Sequence, residues 1–262
     1  MTTQPMPASQ LFGLDVHALT LDDVVTEAEH SLATRDPLLI GVVNAAKIVK
    51  LSADQVLRDS LLECDLLLAD GQSVVWASRL LGRPLPERVA GIDLFEALLE
   101  VAHRDQRRIY LLGATPEVLA RLCEVVSTRW PNAVIAGSHD GYFDEDSSAS
   151  VARDIAEARA DMLFLGMTTP KKENFIGRHG HALGVPILHG VGGSFDVMAG
   201  VTARAPLAWQ RAGMEWAYRV RQEPRRLWKR YLTTNTRFLL MLAMERVHRH
   251  SAYTTGSGVH HG

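Results

Sequence analysis

The stretch RIYLLGATPEVL, residues 108–119, decides the architecture. After Arg108 it is a continuous apolar run, without the polar alternation of a half-exposed strand. Such a run suits a strand covered on both faces, as in a parallel sheet. Thr115 then supplies a capping hydroxyl and Pro116 fits the first turn of a helix. A buried strand that feeds a helix through a short turn is the repeating unit of an α/β fold.

Working outward, the same kind of run recurs as LLIGVV (38–43), DLLLAD (65–70), AVIAGS (133–138), DMLFLGM (161–167) and PILHGVG (186–192). The intervals read as helices. In GIDLFEALLEVAHRD (91–105), Ile92, Phe95, Leu98, Leu99 and Ala102 share one face at helical spacing. Strand–helix alternation over about 150 residues predicts an open, mostly parallel, Rossmann-like α/β sheet. After Gly200 the strand-like runs stop. PLAWQRAGMEWAYRVRQ (206–222) and EPRRLWKRYLTTNTRFLLMLAMERVHRH (223–250) read as amphipathic helices broken at Pro224. The expected division is an α/β core over 1–203, a helical C-terminal appendage over 204–250 and a disordered tail, SAYTTGSGVHHG, over 251–262.

Composition limits the function. The chain has 262 residues, 47% of them hydrophobic and 22% charged, the profile of a globular protein with a sizeable core. Cys64 and Cys123 are too few for a disulfide framework or a four-thiolate zinc site, and suit a reducing compartment. The polar start MTTQPMPASQ has no secretory pattern, and no apolar run is long enough to span a bilayer. The expected location is cytoplasmic, on the membrane surface but not through it. The net charge of −2 conceals an asymmetry. Residues 204–249 hold eleven Lys and Arg against three Asp and Glu, leaving 17 basic and 27 acidic residues elsewhere. A basic segment with interleaved aromatics on an acidic body predicts an anionic partner.

In an open α/β sheet, ligands bind beyond the carboxyl ends of the strands. That rule selects Asn44, Asp70-Gly71-Gln72, Gly113, residues 139–143, the segment from Gly166 to Glu173, and Gly190 to Asp196. Asp70 stands where a half-withdrawn carboxylate could act as a general base, or could simply cap the helix that starts near Gln72. Asn44 is likewise a cap or a ligand contact. Gly190, Gly192 and Gly193 allow backbone N–H groups to approach a phosphate, but Phe195 breaks the dinucleotide fingerprint, and no Walker motif occurs. Asp144 and Asp146 read as helix-start acids, and His139 and His189 as structural histidines. No histidine pattern suggests a metal.

These stretches, in this order, resemble the WecG/TagA/CpsF glycosyltransferases (glycosyltransferase family 26). The matching segments are LLLADGQSVV (66–75), LPERVAGIDLFEALL (85–99), IYLLGATPEV (109–118), PNAVIAGSHDGYF (131–143), DMLFLGMTTPKKENFI (161–176), GVGGSFDVMAGVTARAP (190–206) and GMEWAYRVRQEPRR (213–226). The resemblance implies inverting, metal-independent transfer of an N-acetylmannosamine-type sugar from a UDP-sugar to a polyprenyl-diphosphate-linked saccharide, for teichoic acid, common antigen or exopolysaccharide. No cofactor is expected. It makes Asp70 the general base. Asn44, Gly71, Gln72, Arg88, Gly113, Lys171, Lys172, Glu173, Gly192, Gly193, Ser194, Asp196 and Arg204 become substrate contacts. Arg219, Arg225, Arg226 and Arg230 become ligands of the lipid diphosphate or the membrane, with Trp209, Trp216, Tyr218, Trp228 and Tyr231 at the membrane interface. It also implies self-association. Two departures bear on sugar identity: Val42 stands where many members carry threonine, and Lys172 where many carry glutamine. The competing readings are a nicotinamide-dependent oxidoreductase and a non-catalytic scaffold of a polysaccharide assembly complex.

Overall fold

The computed structural model describes residues 6–254 except 212, 223 and 249, and not the side chains of 211, 219, 226, 227 and 230. The chain begins with a hairpin that the sequence reading passed over, β1 (Ala8–Leu11) and β2 (Leu14–His17). Its two-residue turn places Phe12 at φ 53° and Gly13 at φ 80°. Positive φ at both positions is the turn geometry that matches strand twist. The alternation of Leu14, Asp15 and Val16, buried–exposed–buried, was the available signal. Next come α1 (Leu21–Thr34), started by a Thr20–Asp23 capping box, then β3 (Leu38–Val43), α2 (Ala45–Lys50), α3 (Gln55–Leu62), β4 (Leu66–Ala69) and α4 (Gln72–Leu80). They are followed by α5 (Gly91–Arg104), β5 (Arg108–Gly113), α6 (Pro116–Arg129), β6 (Val134–His139), α7 (Glu145–Ala158), β7 (Met162–Gly166), α8 (Lys171–His179) and β8 (Ile187–Gly190). The chain closes with α9 (Ser194–Met198), α10 (Leu207–Arg211), α11 (Glu215–Gln222) and α12 (Pro224–Val247).

All six expected core strands form, in the sheet order β4-β3-β8-β7-β5-β6. The pairs β3–β8, β8–β7, β7–β5 and β5–β6 are parallel. The fold is α/β with helices at the C-terminus, as expected. Its strand order departs from the classical Rossmann arrangement.

Two compact units interleave along the chain: residues 1–19, 43–88 and 205–262 form one, and 20–42 and 89–204 the other. In the second unit, successive strand residues point to opposite faces. Tyr110, Leu112, Leu163 and Leu165 pack with Val151, Ile155 and Phe175 from α7 and α8. Phe164 points the other way, where its ring lies 4.6 Å from that of Phe95 on α5.

In the first unit, Leu11, Phe12, Leu14, Ile48, Leu51 and Leu57 form a core closed by Phe238 of α12, whose ring is 5.4 Å from Phe12. Helix α12 therefore shares a core with the hairpin and residues 43–88, which lie on the other side of the linear boundary expected near 203. The region 206–222, expected as one helix, is divided into α10 and α11 by Gly213 at φ 64°, a left-handed value that stops a helix. Pro224 opens α12, where its missing N–H costs nothing. Ser251 to Thr254, expected as disordered tail, are placed. Tyr253 donates its N–H to the Gly13 carbonyl at 2.9 Å and carries the Arg58 guanidinium over its ring. Residues 255–262 lie outside the described residues.

Candidate active site

The first unit assembles a carboxylate site from two strand ends. Asp70 leaves β4 with its N–H donated to the Val43 carbonyl at 2.9 Å. Asn44 directly follows β3 and caps α2, its Oδ1 accepting the Lys47 N–H at 3.1 Å. With the oxygen so committed, the amide nitrogen faces Asp70 and donates to Oδ2 at 3.5 Å. Asn44 thus caps α2 with its oxygen and reaches Asp70 with its nitrogen. Gly71, not Asp70, is the cap residue of α4, and it caps without a side-chain bond. Asp70 stands one residue before that cap, half-buried. A methyl group at Gly71 would stand 3.3 Å from Asn44 Cβ, so glycine permits this close approach.

Arg88 Nη1 donates to Glu215 Oε2 at 2.9 Å, the side chains being 13% and 31% exposed. Gln72 packs beneath the turn before α11: a methyl group at Gly213 would lie 2.9 Å from its Cγ and 2.8 Å from the Trp76 ring. Glu215 and Gly213 are the contacts that sequence reasoning missed. Both lie in a matched segment, but nothing local marks Glu215 as a partner of Arg88. Arg225 is exposed. The side chains of Arg219, Arg226 and Arg230 lie outside the described residues. In the same stretch of sequence, the Trp209 and Tyr218 rings are 5.8 Å apart, those of Trp216 and Tyr231 5.9 Å, and Trp228 is 48% exposed.

The second unit holds the other predicted contacts. Gly113 (φ 135°) pairs with Gly166 at the carboxyl ends of β5 and β7, where a methyl group would stand 2.5 Å from the Gly166 carbonyl carbon. These neighbours are the topological switch of the sheet: the chain leaves β5 toward β6 and β7 toward β8, in opposite directions. Lys172 reaches across Gly190, where an added Cβ would come within 3.1 Å of its Nζ, and pairs with Glu173 Oε1 at 2.9 Å. The Glu173 side chain is 2% exposed, and its Oε2 has no hydrogen-bond partner. Burial pushes this carboxyl up, but the Lys172 ammonium, with hydrogen bonds from Lys172, the Glu173 N–H and Thr169, outweighs it and holds the group below the usual glutamate value.

Several other predicted contacts bond within the second unit. Lys171 donates to the Gly141 carbonyl at 2.7 Å and to the Phe143 carbonyl, with its ammonium over the Phe143 ring, so it braces the loop after β6. Ser194 donates to the Val191 carbonyl at 2.8 Å. Arg204 pairs with Asp93 of α5. Gly192 (φ 53°) and Gly193 are exposed, while Asp196 is half-buried and its carbonyl accepts the Val201 and Thr202 N–H groups. Asp144 caps α7 through the Ser147 N–H. His189 is fully buried between the Ile40 and Gly91 carbonyls. A cavity of about 300 Å³ between α6 and β6 is lined by Cys123, Ser138, His139 and Asp140, among others; the last two lie in the segment the strand-end rule selected, and none of the substrate contacts implied by the resemblance lines it.

Residues 9–252 match the model of the glycosyl transferase WecG/TagA/CpsF family. The chain belongs to this family. It is 36% identical over 218 residues, 83% of this chain and 84% of the relative, to the N-acetylglucosaminyldiphosphoundecaprenol N-acetyl-beta-D-mannosaminyltransferase of Bacillus subtilis (strain 168). It is 38% identical over 190 residues, covering 72% and 73%, to the enzyme so named in Bacillus spizizenii. It is 32% identical over 222 residues, covering 84% and 85%, to that of Staphylococcus aureus (strain MW2). The family member is therefore a glycosyltransferase, and neither the nicotinamide oxidoreductase nor the non-catalytic scaffold finds support.

Proposed function

We propose that the enzyme moves an N-acetylmannosamine-type unit from a UDP-sugar to N-acetylglucosaminyl-diphosphoundecaprenol, with inversion and without a metal, in the synthesis of a cell-surface polysaccharide. The relatives' shared name supports the acceptor and the sugar, and the reaction type supports the UDP donor. The observation that carries the reading is Asp70 at the end of β4, addressed by the Asn44 amide.

Asp70 accepts the proton of the acceptor hydroxyl. The freed oxygen attacks the anomeric carbon, and the bond to UDP breaks with its electron pair leaving on the diphosphate. Base catalysis of this kind contributes about 10²- to 10⁴-fold in rate. Asn44 holds the carboxylate in place through its amide N–H. Arg88 faces the growing negative charge of a diphosphate, for which a guanidinium is the matching fork. Lys172, Glu173, Gly192, Gly193, Asp196 and Arg204 are assigned to the donor. Lys171 and Ser194 contribute by shaping their loops.

Arg219, Arg225, Arg226 and Arg230, with the nearby aromatics, are assigned to the lipid diphosphate and an anionic membrane surface at the cytoplasmic face. Among the described residues no helix is long and apolar enough to cross a membrane, so the association is peripheral in this proposal. Self-association is part of the same reading.

The test is UDP release from UDP-N-acetylmannosamine with a short-chain prenyl-diphosphate N-acetylglucosamine acceptor. The native protein is expected to turn over. Asp70→Asn is expected to lose about 10²-fold or more while retaining UDP binding. Near-native turnover in that variant removes Asp70 as the base.

A further inference from the structure

The Arg88–Glu215 pair carries an inference about control of the site, resting on the reading of Arg88 as a diphosphate ligand. Residues 204–249 contain three acids among eleven basic residues. Glu245 is spent in the core of the first unit, where Arg83 Nη1 and His250 Nδ1 lie 3.3 and 2.6 Å from its carboxylate. Glu223 lies outside the described residues. Glu215 opens α11 and is placed on Arg88 at 2.9 Å. The turn before it seats Gly213 against Gln72 and Trp76 of α4, in the element that follows Asp70-Gly71. The start of α11 is therefore held at two points, one of them an anion on the guanidinium assigned to a diphosphate.

We infer that Glu215 is an internal stand-in for the substrate diphosphate. Its carboxylate occupies Arg88 when the site is empty. A diphosphate, more highly charged and able to take two N–H groups at once, displaces it. Release of Glu215 removes one anchor at the start of α11. Diphosphate occupancy is thereby coupled to the mobility of the basic C-terminal helices.

The test measures affinity for two diphosphates, UDP and farnesyl diphosphate, in the native protein and in Glu215→Gln, Arg88→Gln and the double variant. A partly exposed ion pair is worth up to about 1 kcal/mol, so Glu215→Gln is expected to tighten at least one of the two about two- to fivefold. The probe that responds identifies the nucleotide or the lipid side as the competitor. The gain should vanish in the double variant. Hydrogen exchange on the unaltered protein provides a readout without substitution: saturating that diphosphate should speed exchange across residues 213–222. Unchanged or weaker binding of both probes by Glu215→Gln, or unchanged or slower exchange, overturns the inference when Arg88→Gln does weaken binding. If Arg88→Gln binds both probes normally, the assignment of Arg88 itself has failed, and this inference falls with it.

Discussion

Asn44 is one side chain with two partners, one in the fold and one in the proposed general base. Its oxygen caps α2 and its nitrogen reaches Asp70, so removing the residue would confuse the two roles. Asn44→Ser separates them, because serine caps about as well as asparagine but has no amide to offer the carboxylate. A hydrogen bond to a charged group is worth about 1.5–3 kcal/mol, so turnover should fall roughly tenfold or more while the melting temperature stays close to native. Activity assays beside thermal unfolding would check this. The sequence placed Asp70 and Asn44 at strand ends but left each with two roles open. Whether a carboxylate caps depends on backbone direction after the strand, and that direction is set when β3 and β4 are placed.

Among the elements, the N-terminal hairpin was the least legible. Its strands are short, and a phenylalanine occupies a turn position where glycine or asparagine would have announced the bend. Once formed, it puts His17 beside β4, where the Leu67 N–H donates to Nδ1 at 3.1 Å. Burial pushes the imidazole below its ordinary value, against the opposing pull of Asp15 and Asp65. The unfolded chain therefore takes up this proton first as pH falls through about 6.5, and the folded state loses stability until its own lower value is passed. The melting temperature should drop between about pH 7.5 and pH 5, and less steeply in His17→Gln, whose amide oxygen can still accept the Leu67 N–H. Thermal unfolding across that range tests the sign directly.

For the chain as a whole, charge is distributed by sequence segment. The basic excess of residues 204–249 coincides with apolar side chains left exposed on α12, among them Trp228, Leu232, Leu239, Leu240 and Met244. A basic residue near an anionic bilayer contributes about 1 kcal/mol, so reversing Arg225 and Arg226 to glutamate should weaken binding to vesicles rich in acidic lipid by about tenfold or more. Added salt should shrink the difference, as screening requires. Equal co-sedimentation of the native and reversed proteins with such vesicles would remove the membrane role assigned to these arginines.

The sequence alone determined the order and kind of the core elements, because a strand buried on both faces must be apolar throughout and the helices between must be apolar on one side. Its ordered motifs also determined the family. Only the tertiary structure decided that Asn44 addresses Asp70, that Glu215 sits on Arg88, that Lys171 braces a loop, and that Tyr253 returns to Gly13. Each of these joins residues separated along the chain. Hydrophobic periodicity encodes which face of an element is buried, but not which distant side chain it will meet there.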